Sequence, residues 1–164
     1  MDVYLLRHGK AEAAGPKTGD AERRLTKKGR DEIAAAGRWM AAQELRYDLI
    51  AVSPLVRAQE TAGIIAESFG VKDRIVTWHI LGPGGDTGSI CREIGKHEDL
   101  RSILLVGHEP LLSALVSRII TGEEHAAIAM TKGSLAKVRD FSFTMRPSGE
   151  LHWLVTAAQM AGGK

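Results

Sequence analysis

Val3-Tyr4-Leu5-Leu6-Arg7-His8-Gly9 is an apolar run that ends abruptly in a cation and an imidazole. The run is too short for a helix and rich in strand formers, so it predicts a buried strand over residues 3–6. Ser102-Ile103-Leu104-Leu105-Val106-Gly107-His108 repeats the arrangement, with a strand over 102–106 and a histidine just beyond it. A further strand over 47–52 runs into Ser53-Pro54, and Arg57 follows closely. Each of these strands therefore delivers polar groups at its carboxyl end.

Helical patterns separate the strands. Thr26 suits an N-cap, and Ile33, Ala36, Gly37 and Met40 put one apolar face on a helix reaching about residue 44. Ser53 as N-cap and Pro54 in the first helical position predict a second helix, closed by Gly70. A short strand is predicted over 75–78, a glycine-rich loop over 82–88 and a helix over 90–97. Glu109-Pro110 opens another helix to about residue 120. Two late strands, 134–140 and 151–155, are joined by a polar link over 145–150 and suit antiparallel neighbours. Residues 12–24, with Gly15, Pro16 and Gly19, read as a long loop. The alternation of strand and helix predicts an α/β fold, a three-layer α/β/α sandwich. Its central sheet is mostly parallel with an antiparallel edge.

Composition bounds the function. The chain has 164 residues, which predicts one domain over 1–164. Apolar residues are 44% and charged residues 26%, the balance of a chain that folds around a core rather than a disordered one. A net charge of +2 gives no reason to expect nucleic acid or a membrane surface as partner. Cys91 stands alone, so no internal disulfide can form. No apolar run approaches the ~18 residues of a membrane span, and no export signal is legible, so a cytoplasmic location is expected. The oligomeric state is not legible, and a monomer is the default expectation.

Ligands of open α/β sheets sit beyond the carboxyl ends of the strands. A parallel sheet would thus gather Arg7, His8, Arg57 and His108 on one rim. Arg57 falls in the first turn of its helix, where a cation faces the positive end of the macrodipole. That placement makes sense if an anion lies between them. Guanidiniums match phosphate oxygens with a bidentate fork, and helix starts near Ser53 and Glu109 would add backbone donors. Two imidazoles beside such a pocket suit phosphoryl transfer: one attacks phosphorus, the other remains protonated and stabilises the equatorial oxygens. The arginines neutralise the transferring group, so neither a metal nor a cofactor is expected. Asp86 reads equally as a substrate contact or a helix cap, and Glu109 chiefly as a cap. His79, His97, His125 and His152 have no partner pattern. Trp39, Trp78 and Trp153 read as packing residues, and Cys91 as a small apolar one.

The same residues resemble the signature of the histidine phosphatase superfamily, the phosphoglycerate-mutase-like fold, and within it the SixA-type phosphohistidine phosphatases. The matching stretches are Leu5-Leu6-Arg7-His8-Gly9-Lys10-Ala11-Glu12, Arg23-Arg24-Leu25-Thr26-Lys27-Lys28-Gly29, 52–62 with Ser53-Pro54 and Arg57-Ala58, Pro83-Gly84-Gly85-Asp86, and Leu105-Val106-Gly107-His108-Glu109-Pro110. The resemblance implies His8 as the phosphorylated nucleophile. Arg7, Arg57 and His108 would hold the phosphoryl group, with Ser53 beside it and Arg23 at the mouth. Larger members carry a glutamate-rich segment after the third strand that supplies a general acid. This chain has 81–86 there, with no Glu. Lys10 stands where some relatives carry Asp. An imidazole leaving group, with pKa ~6.5, departs without a strong general acid, whereas an alkoxide does not. The implied substrate is therefore phosphohistidine on a protein, from a signalling relay or a sugar-phosphotransferase system. A small-molecule phosphomonoesterase, a mutase-like enzyme and a phosphate-recognising module without catalysis remain the alternatives.

Overall fold

The computed structural model describes residues 1–16 and 19–162; Lys17 and Thr18, within the loop predicted over 12–24, lie outside the described residues. The strands are β1 (Asp2–Arg7), β2 (Leu49–Val52), β3 (Ile75–Thr77), β4 (Ser102–Gly107), β5 (Leu135–Phe143) and β6 (Pro147–Val155). They form a six-stranded sheet in the order β3-β2-β4-β1-β5-β6. β1 through β4 pair in parallel, whereas β5 runs antiparallel to β1 and β6 antiparallel to β5. The helices are α1 (Lys27–Ala42), α2 (Val56–Phe69), α3 (Thr87–Gly95), α4 (Leu111–Thr121) and the single turn α5 (Ala157–Met160).

Successive side chains on a strand point to opposite faces, so each central strand feeds two cores. Val3, Leu5, Ile103 and Leu105 pack toward α3 and α4, while Tyr4, Leu6, Leu104 and Val106 pack toward α1 and α2. All of these but Tyr4 are fully buried, which explains the unbroken apolar runs. On α1 the buried positions are Gly29, Ile33, Ala36, Gly37 and Met40, the face predicted from spacing. Thr26 caps it, its hydroxyl accepting from the Gly29 N–H at 3.0 Å. A Cβ at Gly29 would overlap the Lys10 carbonyl, so the chain leaving β1 can lie against the start of α1 only with glycine there.

Four boundaries differ from expectation. α2 starts at Val56, with Leu55 rather than Ser53 in the cap position and no side-chain cap. Ser53 instead continues the sheet, its N–H donating to the Val106 carbonyl at 3.0 Å. Its hydroxyl meets His108 Nε2 at 2.7 Å. α3 begins at Thr87, inside the predicted loop, because the Asp86 carboxylate accepts from the Ser89 N–H at 2.8 Å and caps the first turn over Gly88. α4 begins at Leu111 rather than at Glu109, and the Glu109 carboxylate caps it from outside by accepting from the Ser113 N–H at 3.0 Å. β5 runs past residue 140 to Phe143 and β6 begins at Pro147, inside the predicted polar link, with register shifts near Val138 and Arg139 that let a longer hairpin close.

This topology sets β2, β4 and β1 side by side with their carboxyl ends on one rim. Truncating Leu105, fully buried at the centre of β4, should show how far that rim depends on the core. Leu105→Ala should lower the unfolding free energy by about 2–5 kcal/mol in a urea titration. Met145→Ala, at the 97% exposed tip of the hairpin, should change it by less than about 0.5 kcal/mol.

Candidate active site

His8 is the first residue past β1, and its N–H still pairs with the Gly107 carbonyl at 3.1 Å, one step beyond the strand. His108 follows β4 directly. The two rings lie 4.9 Å apart between centroids, tilted by 54°. The ladder thus brings together two imidazoles a hundred residues apart in sequence.

Hydrogen bonding determines how His8 is presented. Its Nδ1 faces the Gly9 carbonyl at 2.7 Å and must donate to it, so the lone pair resides on Nε2. Arg57 Nε donates to that Nε2 at 3.3 Å. Gly9 N–H donates to the Thr61 hydroxyl at 3.2 Å, which in turn donates to the Arg57 carbonyl at 2.7 Å. Thr61 is fully buried and ties the end of β1 to the first turns of α2. Gly9 admits no side chain, because a Cβ would lie 2.8 Å from Ile33 Cγ1.

Cations crowd this pair. Arg57, in the first turn of α2 as predicted, is buried. Its Nη1 donates to the Asp20 carbonyl at 2.7 Å, and its Nη2 to Asp20 Oδ2 at 3.1 Å. Arg7 Nη1 donates to the Met130 carbonyl at 2.8 Å. Arg7 Nε and His108 Nδ1 are buried with no partner among the described residues, and unpaired buried groups are costly unless a ligand satisfies them. Arg23 reaches the cluster only through Asp20, pairing with its Oδ1 at 2.9 Å while Nε donates to the Glu12 carbonyl at 2.5 Å. Lys10 is exposed, and it is its carbonyl that is engaged, accepting from the Thr26 N–H at 2.9 Å.

Burial lowers His8 to a pKa of about 3, reinforced by His108, Arg57 and Arg7 and opposed by the Gly9 hydrogen bond. Burial, with Arg57 and Arg7, lowers His108 to about 4, opposed by Asp20. Both rings are therefore neutral in the free site near pH 7. The protonated imidazole expected from the sequence belongs to the phosphate-bound site. The guanidiniums repel a charged imidazole, and only a bound dianion could reverse that balance.

Beside His108 and Arg57 lies a cavity of about 500 Å³, walled by Leu55, Leu81, Pro83 and Leu111. Asp86, Glu109 and Glu124 also line it, and each carboxylate is engaged, that of Glu109 by the Ser113 N–H. Asp86 caps α3, and Glu124 pairs with Arg118 at 3.2 Å and accepts from the Thr87 hydroxyl. His97, read as structural or exposed, stacks on Trp78 at 5.6 Å.

The sequence pattern missed Asp20 and Thr61. Asp20 lies three residues before Arg23, an ordinary local charge pair, and only the tertiary fold reveals its contact with Arg57. Thr61 stands one helical turn after Arg57, a spacing that could have suggested that its hydroxyl returns to the Arg57 carbonyl.

Comparison with known proteins agrees with this fold. The profile of the histidine phosphatase superfamily (branch 1) matches residues 3–81. Phosphohistidine phosphatase SixA of Escherichia coli is 30% identical over 125 residues, covering 75% of this chain and 76% of its own. The SixA homolog of Haemophilus influenzae is 32% identical over 129 residues, covering 73% and 77%. A solved structure of the protein histidine phosphatase SixA complexed with tungstate superposes with a TM-score of 0.85 at 25% identity, covering 98% of this chain and 99% of that one.

The neutral histidines make a pH prediction. In the unfolded chain each takes up its proton near the ordinary histidine pKa of about 6.5; in the folded chain His108 waits until about 4 and His8 until about 3. A lowered folded pKa means that stability is fully present above pH 6.5 and is lost as the pH falls toward 4 and 3. Chemical denaturation at stepped pH should record that decline. The His8→Gln/His108→Gln double variant should show a shallower slope over the same window.

Proposed function

This chain belongs to the histidine phosphatase superfamily and is a phosphatase, and from that premise we propose that it hydrolyses phosphohistidine on a protein through a phospho-His8 intermediate, without a metal ion. The observation that carries the reading is the unprotonated Nε2 of His8, its tautomer fixed by the Nδ1 bond to Gly9 and its lone pair facing Arg57 beside the His108 ring.

In the first step His8 Nε2 attacks phosphorus. The new N–P bond forms as the substrate's N–P bond breaks, and the substrate ring, having taken a proton from solvent on its other nitrogen, leaves as neutral imidazole with the electron pair of the broken bond. The proton on His8 Nδ1 stays in place, and the Gly9 carbonyl stabilises the positive ring that results. Arg7 and Arg57 neutralise the transferring oxygens. His108 gains its proton as the dianion arrives and adds a further donor. Ser53, hydrogen-bonded to His108 Nε2, holds that ring in position. In the second step water attacks phosphorus, the His8 N–P bond breaks, one water proton passes to solvent, and orthophosphate leaves.

Two features favour phosphohistidine over an alkyl phosphate. The three carboxylates lining the cavity, Asp86, Glu109 and Glu124, are engaged in two helix caps and an ion pair, so none stands ready to protonate an alkoxide. The cavity is open beside His108, which suits a reacting side chain still attached to its protein. The partner proposed is accordingly a phosphohistidine-bearing relay or phosphotransferase protein of the cytoplasm.

The test begins with a labelled phosphohistidine protein. Brief mixing and quenching should trap acid-labile, base-stable label on the chain. His8→Ala should trap none and turn over at least about a thousandfold more slowly. Arg57→Ala should lose about a hundredfold to a thousandfold in kcat with unchanged circular dichroism. Saturating EDTA should leave the rate unaltered. Phosphoramidates should be cleaved faster than alkyl phosphates, and the reverse order would overturn the choice of substrate.

A further inference from the structure

Each nitrogen of the Arg57 guanidinium makes a hydrogen bond. Nε points at His8 Nε2, Nη1 at the Asp20 carbonyl and Nη2 at Asp20 Oδ2. The other oxygen of that carboxylate, Oδ1, holds Arg23 at 2.9 Å. Asp20 therefore bridges two guanidiniums, and its backbone carbonyl and one carboxylate oxygen together occupy the Nη1/Nη2 edge of Arg57 that a phosphoryl group would enter. A carboxylate and a phosphate present the same acceptor geometry to that fork, and two anions cannot share one edge of it without repulsion.

The two partners differ in freedom to move. Arg57 is only 8% exposed along its side chain, whereas Asp20 is 59% exposed. Asp20 sits on the short 3₁₀ turn Asp20–Glu22, directly after Gly19, around which a Cβ would meet nothing within 4 Å. Rotating its side chain outward would transfer the carboxylate to water and leave the backbone carbonyl on Arg57. Its hydrogen bonds to Arg23 and Arg57 hold its carboxyl below the usual range, so it is an anion whenever phosphate could bind.

We propose that Asp20 is a specificity-determining residue, an internal anion that occupies the Arg57 fork until an incoming phosphoryl group displaces it. The proposal rests on the reading that the phosphoryl group binds Arg57. Free orthophosphate and small phosphate esters must displace Asp20 with phosphoryl contacts alone. A phosphohistidine on a protein can offer donors or cations of its own surface to the displaced carboxylate, which a small ligand cannot, so the carboxylate penalises small ligands more than protein ones. It also favours release of orthophosphate after hydrolysis.

Isothermal titration with inorganic phosphate tests this without turnover. Asp20→Ala should bind phosphate about three- to tenfold more tightly than the parent chain, the range expected for removing a partly exposed competing ion pair. Asp20→Asn, which keeps an acceptor but no charge, should fall between the two. Glu22→Gln removes a negative charge from the same turn, where Glu22 makes no ion pair among the described residues. That variant should bind phosphate as the parent does. In steady-state assays the KM of Asp20→Ala for p-nitrophenyl phosphate should fall more than its KM for a phosphohistidine protein. If Asp20→Ala binds phosphate no better, or worse, Asp20 only positions Arg57 and the proposal fails. It fails equally if Glu22→Gln tightens binding as much, since the effect is then one of net charge. Phosphate binding to none of the chains, the parent included, would remove the premise that Arg57 receives the phosphoryl group.

Discussion

Parallel pairing of β1 with β4, in register from Asp2↔Ser102 to Arg7↔Gly107, is the constraint on which the site depends. It sits at the centre of the sheet, buried on both faces, and ends with His8 and His108 side by side. A slip of one residue would turn every side chain of β1 to the opposite face and would exchange the two cores. The hydrophobic pattern that stabilises the sheet is therefore also what sets the distance between the imidazoles. Ser53, one step past β2, joins the same rim because β2 is the other neighbour of β4.

Around that pair the chain accumulates positive charge in a poorly solvated place. Arg57 and Arg7 both push the histidines toward neutrality. The neutral form is the useful one for His8, since a nucleophile needs its lone pair. The Gly9 carbonyl then decides which nitrogen bears it. The cationic surroundings that suppress protonation in the free protein are those that attract an oxyanion, and the chain's own Asp20 carboxylate answers that attraction when no ligand is bound.

Much of this was legible beforehand. The apolar face of α1, the left-handed Gly70 that ends α2 and the strand-end positions of His8 and His108 follow from spacing and residue type. Ser53 was misread as a cap because Ser-Pro is a strong local helix-start signal. The imidazole of His108, distant in sequence, competes for the same hydroxyl, and the ladder to Val106 carries the backbone one residue further. Asp86 and Glu109 resolved toward capping for the converse reason: their partners, Ser89 and Ser113, are local.

What the sequence determined alone is what short-range chemistry specifies: which segments are strands and helices, which faces are apolar, and which histidines and arginines stand at strand ends. The tertiary structure alone decided which nitrogen of His8 is free, that both rings are neutral, and that Asp20 reaches Arg57 across 37 positions of chain. Those properties arise from desolvation and from hydrogen bonds between distant segments. Both depend on how closely groups approach in space, a quantity that residue order does not contain until the sheet has brought the strands together.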